Sequence, residues 1–95
     1  MDRDAALLLL ESEHTFPSDH RFHVIVRAEE PHVEDVVTSI AGLLALPHLE
    51  GRIVRVPSNQ GTYLSLRMSL PCESASVVLD IYAHLSQHPR VIRHF

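Results

Sequence analysis

Lysine is absent from this 95-residue chain, and so is tryptophan. All eight of its permanently basic side chains are therefore arginines, which excludes chemistry that runs through a lysine amine, such as Schiff-base formation. Cysteine occurs once, at Cys72, so an intrachain disulfide, a CxxC metal clasp and a dithiol redox pair are all ruled out, and a reducing, cytoplasmic setting is expected. With only three glycines there is no glycine-rich phosphate cradle, and no run approaches the ~20 apolar residues that cross a bilayer. Twelve acidic residues give a net charge of −4, the wrong sign for a general nucleic-acid or membrane-surface binder.

What the chain does have is apolar patterning sufficient for one modest core, at 45% hydrophobic residues. "RFHVIVRA" (21–28) puts Phe22, Val24, Val26 and Ala28 on one side and Arg21, His23, Ile25 and Arg27 on the other, a strand with one buried face. "EEPHVEDVVTSIAGLLAL" carries Val33, Val36, Val37, Ile40, Leu43 and Leu44 at helical spacing, with Pro31 suited to a first turn and Pro47 beyond the end. "GRIVRV" (51–56) and "TYLSLRMSL" (62–70) read as two strands joined by a short turn. A second helix follows, with Val78, Ile81, Tyr82 and Leu85 on one stripe, ended by Pro89. The closing "RVIRHF" is β-prone, with either Val91 and Phe95 or Ile92 and His94 facing inward.

Strand, helix, strand, strand, helix, strand is the order of an α+β, ferredoxin-like domain: a four-stranded antiparallel sheet with both helices on one face and the first and third strands central. Residues 16–95 form this single domain, and residues 1–15 read as a flexible tail in which Leu7 to Leu10 dock by a helical turn.

Three stretches, "FPSDHRFHVIV" (16–26), "VPSNQGTYLSLRMSL" (56–70) and "VLDIYAHLSQHPRVI" (78–92), resemble the small bacterial YbeD-like proteins, which are often labelled lipoate-regulatory. The resemblance spans nearly the whole domain and implies a fold similar to the ACT regulatory domains. At His23 and Val26 the chain departs from that family's usual lysine and glycine, so no role is carried to those positions.

Candidate binding residues fall in two groups. Ser58, Asn59 and Gly61 lie in the polar "PSNQG" turn, whose composition first of all shapes a hairpin. His23 and Arg27 on the first strand, with Tyr63, Ser65 and Arg67 on the third, point away from the helices if the two strands pair. His84 and His88 have the i, i+4 spacing of a metal pair, but two histidines near a helix C-terminus are more often a solvated face. No catalytic motif and no cofactor motif is present; in place of an acylphosphatase's anion-binding loop stands the acidic "AEEP". The function expected is a non-enzymatic regulatory or interaction module that binds a protein partner or a second copy of itself, without cofactor, nucleic acid or membrane. The alternative is an ACT-like sensor for an amino acid or for a carboxylate such as lipoate.

Overall fold

The computed structural model describes residues 2–95. Alternation over Ser18–Arg27 (β1) and Tyr63–Cys72 (β3) drives both into one ladder, because pairing them sends Phe22, Val24 and Val26 of one strand and Leu66, Met68 and Leu70 of the other to a common face. All six of these residues are at most 2% exposed. Ile53–Pro57 (β2) pairs antiparallel with β3, and Val91–His94 (β4) pairs antiparallel with β1, giving the strand order β2-β3-β1-β4. The fold is the α+β, ferredoxin-like arrangement expected, with β1 and β3 central.

Glu30–Leu44 (α2) and Ala75–Gln87 (α3) each link two parallel strands across a central neighbour. Their apolar stripes, Val33, Val36 and Ile40 on α2 and Ala75, Val78, Ile81 and Leu85 on α3, close over the apolar sheet face. Among the described residues no polar or charged residue is buried in this core. Pro31 lies in the first turn of α2 as expected. The helix ends before Pro47, at Ala45, which sits in the left-handed region with φ 53° and donates its N–H to the Ala41 and Gly42 carbonyls. A 3-10 turn, Leu49–Arg52, then buries Leu49 and leads into β2.

Two expectations are corrected. The N-terminal segment, read as a tail with one helical turn, is an 11-residue helix, Arg3–Glu13 (α1). Asp2 caps it by accepting the Ala5 N–H at 2.8 Å, and Arg3 pins it to α3 through Ser76 Oγ (3.0 Å) and Asp80 (2.9 Å). Leu10 packs on the core, whereas Leu8 and Leu9 face outward. In β4 neither expected register holds. A bulge between the partners of Ile25 and Val26 lets Val91 and His94 face the helices together, while Phe95 continues the ladder opposite His23, exchanging both backbone hydrogen bonds (2.6 and 2.9 Å). An extra residue in the strand breaks the period-2 rule that both sequence alternatives assumed.

An aromatic row runs beneath the helices. His14 meets His20 edge-on at 5.0 Å, His20 meets Phe22 at 5.2 Å, Phe22 meets Tyr82 at 5.1 Å and Tyr82 meets His94 at 5.7 Å. Ser86 Oγ holds His94 Nε2 at 2.9 Å. Burial, assisted by the neighbouring His14, pushes the His20 imidazole below its ordinary pKa of 6.5.

Two outcomes follow for stability. A left-handed residue with a Cβ costs ~1–2 kcal/mol, so Ala45→Gly should stabilise the fold by about 0.5–1 kcal/mol in urea titration, whereas Gly42→Ala, inside the helix, should not produce strain. His20 favours its neutral form in the folded chain, so the unfolded chain takes up the proton first as pH falls through 6.5. Stability present above that pH is lost below it, and the melting temperature of His20→Gln should decline less between about pH 7 and 5 than that of the parent.

Candidate functional site

The alternation that fills the core also writes the opposite sheet face. In the β1–β3 register, Arg27 stands opposite Tyr63, Ile25 opposite Ser65, His23 opposite Arg67 and Arg21 opposite Ser69. Directly opposed side chains share a face, so His23, Arg27, Tyr63, Ser65 and Arg67 lie together, away from both helices. β2 adds Val54 opposite Arg67 and Val56 opposite Ser65, and β4 adds Arg93 opposite Ile25. Phe95 lies against His23 with ring centres 5.5 Å apart. No element of the described chain covers this face. Val54, Tyr63 and Phe95 are 62%, 41% and 56% exposed, a group of apolar and aromatic side chains left in water.

Within the face lies a groove of about 550 Å³ lined by Arg21, His23, Arg52, Val54, Arg67 and Ser69. Two arginines near the face are already committed. Arg27 forms a pair with Glu29 at 3.1 Å, which holds that carboxyl below its ordinary range, and Arg52 approaches Asp19 at 3.5 Å and the Ser69 carbonyl at 3.4 Å. Arg21, Arg67 and Arg93 have no carboxylate partner among the described residues.

The polar turn is a separate place. Ser58 Oγ accepts the Tyr63 N–H at 3.1 Å, the Ser58 N–H donates to the Tyr63 carbonyl at 2.9 Å, and the Gly61 N–H donates to the Ser58 carbonyl at 3.0 Å. Gly61 takes φ 74°, the conformation that glycine makes cheap. Ser58 and Gly61 are thus spent on closing the hairpin, with the exposed Asn59 between them. The turn meets the face group only through the backbone of Tyr63; six residues of extended chain, ~20 Å, separate Gly61 from Arg67, so the turn and the groove stay apart.

The histidine pair at the end of α3, His84 within it and His88 just beyond, is engaged locally. His84 Nε2 meets Ser39 Oγ of α2, and His88 Nδ1 accepts the Arg90 N–H at 3.1 Å. Among the described residues no three metal-ligating side chains cluster. Cys72 is 1% exposed, its Sγ lies 3.6 Å from the Leu70 carbonyl, and burial, followed by the Asp19 charge, pushes its thiol up to about 11.

Sequence reasoning left out Arg21, Val54, Arg93 and Phe95 as site residues. Arg21 belongs to the same alternation as His23 and was available from it. Val54 needed the β2–β3 register, and Arg93 and Phe95 were hidden by the bulge.

Fold and face together define a ferredoxin-like α+β domain whose sheet is open on one side. The chain belongs to the YbeD/UPF0250 family: it matches the family described as "Protein of unknown function (DUF493)" over residues 11–94. A relative, "UPF0250 protein" of Janthinobacterium sp. (strain Marseille), is 33% identical over 81 residues, covering 85% of this chain and 88% of that protein. No solved structure matches the chain. Among the described residues no helix is long and apolar enough to cross a membrane.

A thiol held neutral and out of solvent does not attack electrophiles. At neutral pH, maleimide should leave Cys72 unmodified in the native protein and modify it fully in denaturant, as read by intact mass; rapid native labelling would contradict the buried, protonated thiol.

Proposed function

We propose that this protein is a non-enzymatic interaction module of the cytoplasm, acting by docking its open sheet face on another macromolecule. One observation carries the reading: two paired central strands present a continuous surface of apolar, aromatic and arginine side chains that nothing in the described chain covers. Monomeric proteins seldom leave such surfaces idle, since the apolar part gains ~25 cal/mol per Å² when removed from water. Interface cores are enriched in tyrosine, phenylalanine and arginine, the types gathered here. Apart from His23, the chemically reactive groups lie elsewhere, with Cys72 buried and His84 and His88 bonded to their neighbours.

Native mass spectrometry of the protein isolated gently from its host tests this. The parent chain should carry a protein partner that Val54→Ser/Tyr63→Ala loses, with the variant's stability within about 0.5 kcal/mol of the parent because both side chains are exposed. Bare monomer in both preparations would count against docking. A small-molecule sensor would instead gain about 2.7 kcal/mol of stability at a hundredfold excess over its dissociation constant; amino acids and lipoate should leave the melting temperature unchanged.

A further inference from the structure

The sheet face carries the opposite charge to the rest of the molecule. Five arginines stand on it or at its rim, Arg21, Arg27, Arg52, Arg67 and Arg93, against two carboxylates, Asp19 and Glu29, which leaves a side-chain charge of +3. The other three arginines of the chain face ten carboxylates, a charge of −7. Arginine recognises carboxylates through two parallel N–H donors, and arginines clustered on a protein that is otherwise acidic repel one another unless an anion intervenes. Arg21 and Arg67 are diagonal neighbours across the β1–β3 ladder, a relation of ~7–8 Å that lets two long side chains close on one carboxylate. Both line the groove, and neither has a carboxylate partner among the described residues.

Resting on the reading of this face as a docking surface, we propose that its partner is an acidic protein segment whose carboxylates alternate with apolar side chains, with one carboxylate seated between Arg21 and Arg67. The apolar half of the requirement comes from Val54, Ile25 and Phe95, which stand between and beside the arginines. A second copy placed face to face would set arginine on arginine, which disfavours a symmetric dimer through this surface. A nucleic-acid strand would leave Val54 and Ile25 without use. Its phosphates beyond the face would also meet a molecule of net charge −4.

The test titrates the isotope-labelled full chain with three probes: a short peptide alternating glutamate and valine, its glutamine counterpart, and a single-stranded oligonucleotide. Sedimentation velocity reports self-association in parallel. The glutamate peptide should shift the amides of Arg21, His23 and Arg67 and bind more weakly as salt rises. Its affinity should fall at least about tenfold, or ~1.4 kcal/mol, in Arg21→Gln/Arg67→Gln and recover only in part in Arg21→Lys/Arg67→Lys, which keeps the charge without the paired donors. Neither side chain makes an internal ion pair, so these variants keep the fold, which circular dichroism checks. Equal binding of the glutamine peptide at the same amides would overturn the acidic partner while leaving the docking face intact. Absence of any shift on the face from all three probes, with no self-association, would overturn both. Tighter binding of the oligonucleotide, or occupation of the face by a second copy, would replace the acidic segment with that occupant.

Discussion

Everything in this protein hangs on the ten-residue antiparallel ladder between β1 and β3. Strand side chains alternate with a period of two, so one choice of register settles both surfaces of the sheet at once. With Phe22 opposite Met68 and Val24 opposite Leu66, the apolar set meets α2 and α3. The same choice sets His23 beside Arg67 and Ile25 beside Ser65 on the other side. A slip of one strand by one residue would bury either Arg21 and His23 of β1 or Arg67 of β3 under the helices, where the described core has no polar partner to receive them. The desolvation cost of such burial is what makes the register singular, and the open face is its by-product.

Charge is organised by the same division. Among the described residues the core holds no polar residue, so no ionic pair is stored there, and the five salt bridges found among them all join partly exposed side chains. Pairs of that kind contribute little to stability, and their removal from the ledger would leave the fold standing on apolar burial. They matter more for what they leave unpaired. Arg3 clasps α1 to α3, Arg55 is held by Glu50, and Arg90 is held by Asp35, so the helical side of the molecule neutralises its own cations. On the sheet side Arg21, Arg67 and Arg93 remain, and a chain that is acidic on average shows one basic surface.

Family membership adds no chemistry to this picture, since the matching family is itself described as one of unknown function. The open sheet face mixes arginine, valine and aromatic groups over a shallow groove, the composition on which the proposed docking rests.

Periodicity made the fold legible. β1 could be placed from Phe22, Val24 and Val26, and α2 from Val33, Val36 and Ile40, because each set has one spacing that buries it and burial outweighs local preference. The turn at Ser58 to Gly61 was legible for the same reason, as glycine at a positive φ and a serine bonding the next strand are local facts. Non-local facts were not. That α1 forms a full helix depends on Arg3 finding Asp80 and Ser76, and Leu10 the core, partners more than sixty residues away for Arg3. The register of β4 depends on a bulge that seats both Val91 and His94 under α3, a compromise visible only when Ser86 and Tyr82 are in place. By itself, then, the sequence determined which residues are buried and hence the sheet and its two covering helices. Only the tertiary structure decided which arginines are left without a partner, because an ion pair is a distance between side chains that the order of residues along a strand does not contain.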